Sequence, residues 1–250
     1  MNTTGSRVAE LTTSLAAVRA RLAHAAEAAG RAVEEIRLLP VTKFFPAADA
    51  AILWRLGCRD FGESRSQEAA TKVVEFDAIV GTPDPPARWH MIGQIQRNKA
   101  NQIAAWADTV HSVGATKVAE ALSSAAAQAL AEGRRDRPLQ IFVQISLDGD
   151  TTRGGVDLGD PAAVDRMCAL VAESPALRLV GLMAIPPLDA DPDRAFAALA
   201  AEHRRILRDH PDATELSAGM SGDLDAAVRH GSTCVRVGTA LMGERPLTSQ

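Results

Sequence analysis

Ile36-Arg37-Leu38-Leu39-Pro40-Val41-Thr42-Lys43 is a short apolar run, and Phe44-Phe45-Pro46 follows it. A branched run of this kind, without polar alternation, marks a parallel strand buried on both faces. Seven further runs at 58–62, 88–92, 109–112, 139–147, 177–184, 214–217 and 233–237 repeat the pattern. Helices are predicted between them over 47–56, 66–74, 96–104, 116–132, 161–173, 192–209 and 222–230, and a long Ala-rich amphipathic helix over 7–29 precedes the first strand. Alternating strands and helices predict an α/β fold with a parallel sheet. Eight strands predict closure into a single (β/α)8 TIM barrel carrying one additional N-terminal helix. A doubly wound open sheet is the alternative. One domain over 1–250 is expected, with a mobile glycine-rich loop over 147–160 and a loose tail over 244–250.

Lys43 stands at the C-terminal mouth of the first strand, where barrel enzymes keep their sites. An apolar collar there disfavours the ammonium form and exposes a nucleophilic amine, the condition for a Schiff base with a carbonyl compound. The competing reading is a surface lysine just past a strand end.

The last two strands end in loops suited to an anion. Ser217-Ala218-Gly219-Met220-Ser221-Gly222-Asp223-Leu224 follows the seventh strand. Ser221 and Gly222 are expected at a helix N-terminus, where free N–H groups attract negative charge. Ser221 also reads as an ordinary N-cap. Gly238 and Thr239, after the eighth strand, offer a second pair of N–H groups and a hydroxyl. Arg236 lies two residues before Gly238. Facing inward it needs a partner, for which a ligand atom would serve; facing outward it would cap a neighbouring helix. A lysine and two Gly/Ser-Thr loops on one rim suit a phosphorylated aldehyde.

The formal net charge of the 250 residues is -4, with both signs scattered and no basic stripe, which argues against a nucleic-acid partner. No apolar run approaches the ~20 residues of a membrane span, and the polar start opens a helix instead of a signal peptide. Cys58, Cys168 and Cys234 are far apart and suit a reducing cytosol, so a cytoplasmic location is expected. Tyrosine is absent.

Lys43, Phe61-Gly62-Glu63, the segment Trp89-His90-Met91-Ile92-Gly93-Gln94-Ile95-Gln96-Arg97-Asn98-Lys99, His111-Ser112, Gly181-Leu182-Met183-Ala184-Ile185-Pro186, Leu216 to Asp223 and Val235-Arg236-Val237-Gly238-Thr239 occur in that order. Together they resemble the pyridoxal-phosphate homeostasis proteins, over roughly 7–243. The resemblance implies the barrel of the alanine racemase N-terminal domain and pyridoxal 5'-phosphate (PLP) as cofactor, held as a Schiff base on Lys43. It implies that Ser221, Gly222, Gly238 and Thr239 hold the phosphate, that Ser217 on the same rim also binds the cofactor, and that Arg236 faces the pyridine nitrogen. An arginine there keeps that nitrogen unprotonated and weakens the ring as an electron sink. Met183 is expected to pack under the ring. The chain departs from the family pattern at Ser64 and Arg65, where an asparagine and an aromatic residue are usual, so Ser64 would contact the cofactor by its hydroxyl. It departs also at Phe44, Gln94 and Arg153. Trp89, His90, Gln96, Asn98 and Lys99 read as structural residues or as a polar wall and docking surface for a recipient enzyme.

The function so implied is buffering or delivery of PLP with little or no turnover, by a monomer whose partners are PLP and PLP-dependent apoenzymes. An amino-acid racemase or decarboxylase on the same fold is the alternative. The related racemases take a tyrosine from a second domain, and this chain carries neither, although a cysteine or histidine could stand in. A barrel forming a lysine imine with a sugar phosphate is a third class.

Overall fold

The computed structural model describes residues 3–81 and 83–244. The tail expected over 244–250 falls outside the described residues from 245 onward. Among the described residues, nine strands form one parallel sheet: β1 (Arg37–Pro40), β2 (Asp60–Glu63), β3 (Arg88–Met91), β4 (Thr109–Val113), β5 (Leu139–Ser146), β6 (Val156–Asp157), β7 (Leu177–Ala184), β8 (Glu215–Ser217) and β9 (Cys234–Val237). The order β1-β9-β8-β7-β5-β4-β3-β2 runs round a barrel, with β6 pairing β5 off the path. A parallel bridge between Val41 and Gly62 joins its two ends, and the Thr42 N–H donates to the Gly62 carbonyl at 3.0 Å. The barrel therefore closes, and the open-sheet alternative falls.

Helices ring the barrel: α1 (Thr3–Ala28), α2 (Ala47–Arg55), α3 (Ser66–Val80), α4 (Ala100–Trp106), α5 (Thr116–Ala131), α6 (Pro161–Ala172), α7 (Pro192–Ile206), α8 (Leu224–Arg229) and α9 (Thr239–Met242). Two starts are written in Asp-Pro pairs. Asp160 and Asp191 each cap a first turn with a carboxylate, and Pro161 and Pro192 supply a preset φ where no N–H is needed. α1 buries Leu11, Leu15, Val18 and Leu22 at helical spacing and packs on α2, α8 and α9.

Side chains alternate across β5. Leu139, Ile141, Val143 and Ile145 join the core between barrel and helices, while Phe142 belongs to a separate inner cluster with Val180 and Met183. A register shift beside Gly181 brings both Val180 and Met183 inward. Only glycine fits there, at φ 156°, because a Cβ would lie 1.6 Å from the Glu215 carbonyl oxygen. The interior also holds polar side chains: His90, His111, Ser217 and Arg236 are all buried.

Three expectations need correction. The first strand ends at Pro40, so Lys43 lies in the turn beyond it. The eighth helix starts at Leu224, so Ser221 and Gly222 occupy the preceding turn instead of its N-terminus. The Asp223 carboxylate accepts from the Met220 N–H at 2.6 Å and holds that turn open ahead of the helix. The loop expected to be mobile is organised. It contains a 3-10 turn at Thr151–Arg153, the strand β6, and ion pairs from Arg153 to Asp148 and Asp150.

Candidate functional site

β1 lies between β9 and β2, and this places Lys43. Pro40 pairs with Val237, so the turn after β1 comes beside Gly238; a Cβ on Gly238 would sit 3.6 Å from the Val41 Cβ. On the other side, the bridge from Val41 to Gly62 brings Ser64 alongside. Lys43 is half-buried, with its Nζ 5.8 Å from the Phe44 ring centroid, at the outer reach of a cation–π contact. The Arg65 guanidinium lies over the same ring at 5.2 Å. Phe44 holds φ at 70°, in the left-handed region that costs a non-glycine residue about 1–3 kcal/mol. The backbone directly after Lys43 is thus held in a conformation its own preferences oppose.

Beneath this turn is a buried ion pair that the sequence reading missed. Lys72 Nζ donates to Glu63 Oε1 at 2.6 Å and to the Thr42 carbonyl at 2.9 Å, and Thr42 Oγ1 donates to the same Glu63 oxygen at 2.7 Å. Burial holds the Glu63 carboxyl above its ordinary value, against the opposing pull of Lys72 and Thr42. A signal for Lys72 existed. It shares the buried face of α3 with Ala69 and Phe76, where a lysine needs a partner inside.

The two closing loops meet each other. Ser221 Oγ accepts the Ala240 N–H at 3.4 Å, which links the turn after β8 to α9 after β9. Arg21 on α1 donates to the Ser221 carbonyl, and Arg7 donates to the Met242 carbonyl at 2.9 Å, so the N-terminal helix braces both loops from outside. Ser221 is half-buried and Thr239 exposed; a Cβ on Gly222 would meet nothing within 4 Å, so this turn borders open space.

Arg236 points inward, and the outward-cap reading is ruled out. It is buried, donating to Ser217 Oγ at 2.5 Å and to the Ala184 carbonyl at 2.9 Å. Ser217 pairs in register with Met183 on β7, and Met183 is only 1% exposed. Met183, Ser217, Arg236, Gly238 and Lys43 therefore run round one arc of the barrel from β7 to β1. Ser64 continues the arc and lines a separate cleft of about 1280 Å3 with Phe44, Arg65, Lys72, Gln94 and Lys99.

Trp89 and His90 part company. Trp89 packs outside the barrel against Phe61, tilted, and Phe76, edge-on, with centroids 5.2 and 5.4 Å away, which is a packing role. His90 faces inside and contacts His111 and Asp60. Gln96, Arg97, Asn98 and Lys99 form a short 3-10 segment and its cap on the rim before α4.

Residues 13–246 match the family model for the alanine racemase N-terminal domain. The chain is 60% identical over 248 residues to the pyridoxal phosphate homeostasis protein of Mycobacterium leprae, covering 98% of this chain and 96% of that one. Among solved structures it superposes on PipY of Synechococcus elongatus PCC7942 with PLP bound, at TM-score 0.76 and 30% identity, covering 93% of this chain and all of that one. It shares the fold of alanine racemase from Corynebacterium glutamicum at TM-score 0.65 and 14% identity, spanning 62% of that longer chain.

Proposed function

The chain belongs to the pyridoxal phosphate homeostasis proteins of the alanine racemase N-terminal-domain family, and from that membership we propose that it holds PLP reversibly as a Schiff base on Lys43, buffering or delivering it with little or no turnover. PLP supplies an aldehyde, a pyridine ring and a phosphate. The observation that carries the reading is the meeting of three strand ends: the turn bearing Lys43 lies beside Gly238, while Ser221 reaches across to Ala240. Ser221, Gly222, Gly238 and Thr239 would hold the phosphate with N–H and hydroxyl donors. Arg236 would face the pyridine nitrogen and Met183 the ring. Ser64 would close the arc beside Lys43. The donors fit an anion at one end and a neutral ring nitrogen at the other.

Holding and releasing the cofactor needs less machinery than racemisation, which calls for an acid–base group on each face. The three cysteines are free and buried, and burial raises the thiols of Cys58, Cys168 and Cys234 to about 11, 12 and 11. Such thiols are poor acids at neutral pH. His90 and His111 are committed to each other inside the barrel. No helix among the described residues is long and apolar enough to cross a membrane, and the thiols suit a cytoplasmic protein. The proposed carrier works as a monomer that passes PLP to apoenzymes.

A panel of L-amino acids offered to the PLP-loaded protein tests the assignment. The carrier reading expects no sustained loss or inversion of substrate; turnover at ordinary enzyme rates of 1–1000 per second, on the order found for enzymes generally, would replace it with the racemase or decarboxylase reading.

A further inference from the structure

A line of polar side chains crosses the barrel interior beneath the proposed site. Arg236 Nη1 meets Ser217 Oγ at 2.5 Å, and Ser217 Oγ lies 2.8 Å from His111 Nδ1. His111 Nε2 lies 2.9 Å from His90 Nδ1, and His90 Nε2 lies 2.9 Å from Asp60 Oδ1. All five residues are buried. Asp60 opens β2, so it stands at the N-terminal end of the barrel, opposite the rim of Lys43. Arg88 grips its carboxylate at 2.7 and 2.9 Å, and Arg37, itself paired with Glu215, stands 3.8 Å away.

Hydrogens fit along this line in one sense. An ionised Asp60 only accepts, so His90 Nε2 carries a proton. A neutral His90 then accepts at Nδ1, which requires a proton on His111 Nε2. His111 accepts at Nδ1 from the Ser217 hydroxyl, and Ser217 accepts from Arg236. Every donor points from Arg236 toward Asp60. In the reverse sense His90 would carry two protons, and the Ser217 hydroxyl hydrogen would face two donors, His111 and Arg236, in a fully buried place. Leaving such a group unmatched is costly.

We propose that Ser217, His111 and His90 form a one-way hydrogen-bond chain that makes Asp60, at the far end of the barrel, a positioning residue for the Arg236 guanidinium. Arg236 needs such support. Its two direct hydrogen-bond partners are uncharged oxygens. Burial pushes its pKa down, while Cys234 and Asp223 act in the opposite sense. His111 is kept neutral by burial, with the neighbouring Arg236 acting in the same sense, as the one-way order requires, and its ring stacks on Phe142 at 4.4 Å, which fixes its plane. The chain gives Arg236 a remote anion and a fixed orientation before any ligand arrives. The meaning of that preorganisation rests on the proposal that Arg236 faces the cofactor ring; the chain itself rests on protein side chains alone.

Two-bond 15N–1H correlation spectra of the full chain without PLP test it separately from cofactor binding. At about neutral pH, His90 and His111 are both expected with protonated Nε2 and bare Nδ1; a protonated Nδ1 on either ring overturns the order. Ser217→Ala should shift the His90 ring nitrogens, two links away, and Ser217→Thr, which keeps the hydroxyl, should restore them; His90 signals unmoved in Ser217→Ala overturn the chain. From the other end, Asp60→Asn should shift the His111 nitrogens and, in PLP-loaded protein, the absorbance maximum. If neither moves, Asp60 does not position Arg236. If Asp60→Asn does not fold, because Arg37 and Arg88 lose their carboxylate, the Ser217 pair still decides whether the chain exists, and the Arg236 side-chain nitrogen signals in His90→Gln decide the positioning: a shift supports it and unmoved signals reject it.

Discussion

Arg21, in the C-terminal third of the N-terminal helix, donates to the carbonyl oxygen of Ser221 at 2.5 Å, and its guanidinium also meets the Asp225 carboxylate. The helix that lies outside the barrel's strand–helix repeat is thereby tied to the turn proposed to hold phosphate. Arg21→Ala should free that turn. The side chain is 39% exposed, so the effect is expected to be modest, about 2–5-fold weaker PLP affinity by fluorescence titration. Unchanged affinity would separate the helix from the site.

The phosphate end itself is tested by removing hydroxyls. Ser221→Ala combined with Thr239→Val takes away the Ser221 oxygen that accepts from Ala240, together with a second hydroxyl on the neighbouring loop. Cofactor retention should fall by at least 10-fold, on the order of two net hydrogen bonds. The check is equilibrium dialysis of loaded protein, and full retention refutes the placement.

Lys72 and Glu63 form a support for Thr42, the residue before Lys43. Lys72→Met leaves Glu63 buried without its cation and should cost roughly 3–5 kcal/mol in urea unfolding. Glu63→Gln with Lys72→Met should recover most of that loss. The single mutant should also regain stability as pH falls, because the Glu63 pKa is already raised and lies higher without Lys72. A raised carboxyl contributes stability at low pH that is lost as pH rises through its folded value. A single mutant as stable as wild type, or one insensitive to pH, contradicts this account.

Acid sensitivity of the whole fold should begin with histidines. Burial, with Arg236 adding to it, lowers His111 well below 6.5, and burial lowers His203, whose Nε2 donates to the Ala213 carbonyl at 2.8 Å. Folded, both take up a proton less readily than when unfolded, where they do so near 6.5. Their contribution is therefore present above that value and lost as pH falls below it, by up to about 1.4 kcal/mol per pH unit for each. Asp60, held well below the carboxylate range by His90 and Arg88 despite burial, adds its share only in stronger acid. Urea unfolding between about pH 7.5 and 5.5 reads the slope, and a flat profile is the contrary result.

The barrel was legible because its outer layer is written plainly: Leu139, Ile141, Val143 and Ile145 show one face of a strand, and Asp160-Pro161 and Asp191-Pro192 mark helix starts. The proposed site is read from chemistry at strand ends, in Lys43, Ser221 and Gly238, and from the strand parity of Arg236, whose inward placement the structure shows. The line from Asp60 to Arg236 was not, since its members come from β2, β3, β4, β8 and β9 and meet only when the sheet closes. Nor was the opened turn before α8, because the Asp223 carboxylate serves Met220 instead of extending the helix. Local spacing carries no record of either long-range closure or a side chain's choice between two backbone partners.

The proposed carrier depends on a reversible covalent bond between Lys43 and the PLP aldehyde. Borohydride reduction of the PLP-loaded protein, followed by peptide mass mapping, tests it most directly. The expected result is one reduced pyridoxyl adduct, on the peptide bearing Lys43 and absent from Lys43→Ala. A loaded wild-type protein whose adduct maps only to other lysines, or that carries none, would contradict it.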